Sequence, residues 1–316
     1  MSVLSRYLNW CQTKNGQNFG YTACFISSIG VFAALFTPHT FLLDKLMNLV
    51  QLHERKKPVE MPESLKNLVN DVFDDLKFDK TDRDDIKSFI VCRFKPFNAG
   101  MLDSRNGAII GIPWHFTYDD LIDVKIPQIA IDKFPIDITR FETEDLAESL
   151  ILSREAKKFA IARELLTIRD SYRSFDAFLA AVIILINYTV QYYIKEKFHL
   201  YKKSLSTRIL LYIACGFISY IIYFGQKDFF SKKRERNIDA ELAKLNNDYL
   251  NGGHEYYSKL LTSNILQRQL LDEYGEKTYE KDGNVKYSFR IKSVPITERK
   301  EYFEMILHPN KETSKE

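Results

Sequence analysis

Glycine is scarce in this chain, with 12 in 316 residues, and none falls in a GxGxxG or P-loop pattern. Phosphate-cradling nucleotide sites therefore have no support. Cysteine is scarcer still: four residues (Cys11, Cys24, Cys92 and Cys215), with no CxxC or CxxxC pair. A disulfide scaffold, a redox dithiol and a thiol-based copper or zinc site are disfavoured by that spacing. The six histidines are scattered, no GxSxG occurs, and the HEYYS beginning at His254 lacks the second histidine of HExxH. Charge of one sign is also missing. Lys+Arg (45) nearly balances Asp+Glu (42), and a net +3 gives no electrostatic reason to expect nucleic acid as a partner. No Asp or Glu precedes Asp44, whereas Arg6 and Lys14 are basic and Leu4, Tyr7, Leu8 and Cys11 recur at roughly helical spacing. An acid-free, weakly amphipathic start suits mitochondrial import, a secretory signal anchor or a plain solvated arm.

What is present is apolar length. Three runs stand out: Tyr21–Phe36, extended by Phe41–Leu43 beyond Pro38 and His39; Ala177–Ile194; and Ile209–Phe224. Each approaches the roughly 17–25 residues needed to cross about 30 Å of hydrocarbon. Tyr192, Tyr193, Tyr212, Tyr220 and Tyr223 supply interfacial aromatics. Between the second and third runs, Lys195, Lys197, Lys202, Lys203 and Arg208 face a single acid, Glu196. That is a helical hairpin with a positive-inside tip, and its cations also suit anionic membrane lipid. Buried core helices are the alternative reading. The resulting organisation is a basic targeting arm (1–20), a first transmembrane helix (21–43), a first soluble segment (44–175), a second transmembrane helix (177–194), a basic hairpin loop (195–208), a third transmembrane helix (209–224) and a second soluble segment (225–316). Three crossings put both soluble segments on one side of the membrane, where they can form one discontinuous domain.

Within that domain, Leu65, Leu68, Val72 and Leu76 have helical spacing, and Phe89–Phe94 and Ala108–Ile112 read as strands. Lys125–Ile138 reads as extended or irregular. Thr139 and Glu142 have capping-box spacing at the start of a helix expected to run to Tyr172. A further helix is expected over Phe230–Leu250, stopped by Asn251-Gly252-Gly253, and another over His254–Asp272. Asp282-Gly283 signals a hairpin between Thr278–Tyr279 and Val285–Ile291.

One arrangement carries chemical meaning. Arg154-Glu155-Ala156-Lys157-Lys158 precedes the hairpin, and Glu235 and Asp239 follow it in ExxxD spacing. The order resembles the membrane-bound gluzincin metallopeptidases of the HtpX and prenyl-endopeptidase kind, as do Asn98-Ala99-Gly100 and Ile109–Pro113. That resemblance implies a zincin-like domain with zinc-ligand positions at Arg154, Lys158 and Glu235, and a general base at Glu155. Arg and Lys cannot coordinate zinc, so the kinship implies no catalytic residue, no metal and no cofactor. The expectation is a polar cluster of Arg154, Glu155, Lys158, Glu235 and Asp239, with Glu235 paired to Lys158 or Arg154. The alternative is that REAKK is a solvated helix face.

A more specific resemblance lies in LSREAKKFAIARELL (Leu152–Leu166), GGHEYYSKLLTSN (Gly252–Asn264) and GEKTYEKDGNVKYSFRIKSVPITER (Gly275–Arg299). These segments resemble the transmembrane protein 177 family. That resemblance implies the mitochondrial inner membrane and a role in cytochrome c oxidase biogenesis. The implied partners are newly made subunit II, its dedicated chaperone and copper-delivery factors. The reading is therefore an α+β, mostly α, multi-pass membrane protein with a discontinuous zincin-like soluble domain, acting by contact. The alternatives are an active membrane-bound zinc metallopeptidase and a lipid-surface protein.

Overall fold

The computed structural model describes residues 10, 13–55, 57–120, 130–131, 134–135 and 140–309. Most of the basic arm, most of Lys125–Ile138, and Thr139 of the expected capping box lie outside the described residues. The chain divides into two compact units, 1–42 with 171–229 and 43–170 with 230–316.

The first unit holds helix α1 (Lys14–Phe36), helix α7 (Tyr172–Lys197) and the first stretch of helix α8 (Leu205–Leu245). Thr13 caps α1 by accepting a hydrogen bond from the Gly16 N–H at 3.2 Å. Pro38 sits in a 3-10 turn, Thr37–His39, so the first apolar run stops as an α-helix at Phe36. All three helices are long and apolar enough to cross a membrane. The α1 and α7 helices pack closely: the Ser28 hydroxyl donates to the Ala181 carbonyl at 3.0 Å, and the Tyr21 and Tyr188 rings meet at 5.0 Å. At the hairpin tip His199 adopts φ 46°, and the Lys195 ammonium lies 5.6 Å from the Tyr212 ring, linking the ends of α7 and α8.

The second unit is mostly helical with small sheets. It begins with α2 (Leu43–Val50), the short antiparallel pair β1 (His53–Glu54) and β2 (Lys57–Pro58), α3 (Glu63–Asp75) and α4 (Lys80–Asp84). The main sheet has order β3-β5-β4, from β3 (Ile86–Val91), β4 (Phe97–Gly100) and β5 (Ala108–Pro113). Strands β3 and β5 are parallel, with Ile86 opposite Ala108; β4 runs antiparallel to β5, with Phe97 opposite Gly111. Every residue of β5 is buried, as its unbroken apolar composition requires. A two-residue pair follows, β6 (Ala130–Ile131) with β7 (Phe134–Pro135).

The expected Glu142–Tyr172 helix is two helices, α5 (Phe141–Leu150) and α6 (Arg154–Arg169). Ser153 breaks it: its backbone is extended, and its hydroxyl accepts from the Ala156 N–H at 3.1 Å. The unit closes with α9 (Asn247–Leu270), α10 (Asp272–Thr278) and α11 (Ile296–Leu307). Asn246, not the glycine pair, ends α8; its carboxamide oxygen caps α9 by accepting from the Tyr249 N–H at 3.1 Å. Gly252 and Gly253 lie inside α9 because neighbours leave no space for side chains. A Cβ at Gly252 would strike the Glu155 carbonyl oxygen, and one at Gly253 the Phe303 ring. The expected hairpin at Asp282-Gly283 is reduced to a single bridge between Tyr279 and Val285, with Gly283 at φ 88° against the Leu261 carbonyl.

The core joins α3, the sheet, α6, α9 and α11. Val72, Ile110, Phe159, Ala160, Leu165, Tyr257 and Phe303 are all fully buried. Phe159 is ringed by aromatics, with Tyr257 at 5.5 Å and Phe303 at 5.2 Å, both edge-on.

Candidate functional site

Helix α6 carries Arg154, Glu155 and Lys158, and the later stretch of α8 carries Glu235 and Asp239. The structure distributes four of these five residues over two polar sites and leaves Glu155 in neither. In the first, two cations four residues apart on α6 face two carboxylates four residues apart on α3. Arg154 pairs with Asp71, and Lys158 meets Asp75 at 2.6 Å. Lys158 also lies 5.6 Å from the Tyr249 ring, and the Tyr249 hydroxyl donates to Asp75 at 2.8 Å. Burial alone would raise the Asp75 carboxyl, but the hydrogen bonds from Lys158 and Tyr249 outweigh it and hold it below its ordinary value. Burial, together with the same contact, pushes the Tyr249 phenol up.

In the second site the acids of α8 meet Arg299 of α11. Arg299 donates to Asp239 from Nε at 2.6 Å and from Nη2 at 2.7 Å, and its Nη1 lies 3.8 Å from Glu235. The Tyr257 hydroxyl donates to Asp239 at 2.8 Å, and the Arg299 guanidinium lies 4.7 Å from the Tyr257 ring. Glu235 accepts from the Val294 N–H at 2.7 Å. Burial opposes the charge on Arg299, yet the surrounding Tyr257 and Asp239 raise its pKa above the ordinary value.

Glu235 therefore faces Arg299, and the expected pairing with Lys158 or Arg154 is replaced. The reason is geometric: both α6 cations find carboxylates on α3, and the acids of α8 take the guanidinium beside them on α11. Glu155 is half-buried, with its backbone carbonyl against Gly252. Among the described residues, no group of three His, Cys, Asp or Glu is placed to hold a metal ion.

Three titratable residues outside the expected cluster are buried. Arg299 stands four residues before the buried Phe303, a spacing that puts it on the inward face of α11. Lys157 is buried and donates to the Tyr118 carbonyl at 2.9 Å and to Asp119 at 2.7 Å. His115 is also buried; burial first, and the Lys157 charge second, pull its imidazole down to about 3.

The sequence has clear relatives. The model of the family described as Transmembrane protein 177 matches residues 39–294. The chain is 30% identical over 277 residues to Transmembrane protein 177 of Homo sapiens, covering 87% of this chain and 88% of that protein. It is 26% identical over 302 residues to Transmembrane protein 177 of Xenopus laevis, covering 94% and 95% of the two chains. Identity to Transmembrane protein 177 of Danio rerio is 29% over 261 residues, 81% and 83% of the two chains. No solved structure matches this chain. The matched residues span the α7–α8 hairpin and both polar sites as far as Val294, and this multi-pass membrane protein with three candidate spans belongs to the Transmembrane protein 177 family.

Proposed function

We propose that this chain is a non-enzymatic assembly and stabilisation factor of the mitochondrial inner membrane. It acts in biogenesis of cytochrome c oxidase by binding newly made subunit II and its dedicated chaperone, alongside copper-delivery factors. Family membership over most of the chain carries the reading. The chemistry of the expected ligand positions supports it: Arg154 and Lys158 are cations already committed to Asp71 and Asp75. The zincin-like descent of the domain is included in the proposal, supported by the order of mixed sheet, α6, membrane hairpin and an acid-bearing helix.

The mechanism is contact. Ile213 and Phe217 of α8 are each 63% exposed and offer an apolar face for intramembrane packing. Gln191 donates to the Asn187 carboxamide oxygen at 2.6 Å, and the remaining amide groups of the two side chains are polar handles for a partner helix. The soluble domain faces the intermembrane space, on the side where the polar portion of subunit II emerges. Affinity capture from mitochondria with pulse-labelled translation products tests the proposal. Newly made subunit II in the eluate is the expected result, and its absence overturns the assembly role.

A further inference from the structure

A cavity of about 330 Å³ opens in the soluble unit between α6, α9 and the 280–296 segment, within the size range of small-molecule sites. Its wall brings three cations together. Arg299 is neutralised by Asp239, as described above. Arg163 of α6 donates to a single Glu164 oxygen from Nε at 3.1 Å and from Nη2 at 2.6 Å. Lys95, from the turn between β3 and β4, is half-buried and has no carboxylate partner among the described residues. Burial and the neighbouring Arg163 charge pull its ammonium down to about 8. Two carboxylates also line the cavity, but neither pairs with Lys95: Glu235 is taken by the Val294 N–H and Arg299, and Glu280 is exposed. The remaining wall mixes apolar and aromatic residues, among them Tyr256, Leu260 and Tyr287, with the polar Asn284 and Ser293.

An ammonium withdrawn from water beside a second cation, with no counter-ion, is unfavourable until an anion completes it. We propose that this cavity binds a small anion carrying one carboxylate or phosphate group on an apolar or aromatic body. The anionic group meets Lys95 and Arg163, and the body lies against Tyr256 and Leu260. The proposal does not depend on the assembly role.

Calorimetric titration of the detergent-solubilised full chain tests it, with phenylbutyrate, phenyl phosphate and inorganic phosphate as probes. The expected result is saturable binding of phenylbutyrate or phenyl phosphate, at least about tenfold tighter than inorganic phosphate. Which of the two binds identifies the anionic group. Lys95→Met should weaken binding at least about tenfold, since a charge-assisted hydrogen bond is lost. Leu260→Trp fills the cavity and should abolish binding, which keeps the test decisive if the first variant fails to fold. Absence of saturable binding by both aromatic probes, equal affinity for inorganic phosphate, or undiminished binding by a folded Lys95→Met chain would overturn the proposal.

Discussion

Arg299 and Asp239, 60 positions apart in sequence, form a buried fork in which two guanidinium N–H groups reach one carboxylate at 2.6 and 2.7 Å. Their side chains are 8% and 3% exposed. A pair so withdrawn from water fixes how α11 docks on α8, because losing one member leaves Arg299 only the longer 3.8 Å contact with Glu235, or leaves Asp239 only the Tyr257 hydroxyl. Asp239→Asn should therefore lower stability by about 3–5 kcal/mol. Combining Asp239→Leu with Arg299→Met should recover much of the loss that either substitution causes alone. Denaturant unfolding of the native chain, the two single variants and the double variant measures the coupling; strictly additive losses would refute it.

Gly252 makes a second, purely steric prediction. Helix α9 passes so close to α6 that a methyl group meets the Glu155 carbonyl. Gly252→Ala should cost about 1–3 kcal/mol. Gly216, in α8, has nothing within 4 Å of an added Cβ. Gly216→Ala should be neutral or stabilising by up to about 1 kcal/mol, as Ala is the better helix former. Equal effects at the two sites would contradict the packing of α9 on α6.

Stability should depend on pH through His115. Its folded pKa, about 3, lies below the ordinary 6.5, so between those values the unfolded chain binds the extra proton. The contribution of neutral His115 is complete above pH 6.5 and is lost as pH falls towards 3. The slope from this group approaches about 1.4 kcal/mol per pH unit inside the window. His115→Phe should flatten the unfolding free energy there, as read from denaturant midpoints across the range. Asp75, whose carboxyl is held low, adds acid sensitivity of the same sign: its contribution is present above the ordinary carboxylate value and disappears as pH drops through the folded one. An unchanged slope in His115→Phe would show that the imidazole is hydrated.

Topology gives the fourth prediction. With three crossings, an epitope at Lys202 and one after α11 should lie on opposite sides of the membrane. Protease added to mitochondria with ruptured outer membranes should remove the epitope after α11 and spare the one at Lys202. Simultaneous loss of both would contradict a three-span chain.

Much of this architecture is readable along the chain. The three apolar runs become the three long helices, and the leucine and valine spacing of 65–76 becomes α3. The strand read at Ala108–Ile112 becomes β5, which the structure buries completely. What escapes is information held by distant neighbours or by a single cap. Ser153 starts a new helix three residues after α5 ends at Leu150, and its single capping hydrogen bond is not visible in a sequence that reads as one helix over Glu142–Tyr172. Gly252-Gly253 carries a helix-stop signal when read locally, yet α6 and Phe303 press on it and convert it into a helix-packing contact. The charged residues show the same limit. Arg154, Lys158, Glu235 and Asp239 stand out along the chain, but their partners do not, since Asp71, Asp75 and Arg299 lie far off in sequence. Lys95 lacks any motif, and only the fold shows it beside Arg163.

The membrane-anchored domain is proposed to work by holding a partner and not by breaking bonds. The most direct measurement compares, side by side, capture of pulse-labelled subunit II by the native chain and by Glu155→Gln, which removes the acid that the metallopeptidase resemblance would make a general base. Equal recovery of intact subunit II by both chains is the predicted result. Loss of capture by the native chain, or a cleavage product that vanishes only in Glu155→Gln, would contradict it.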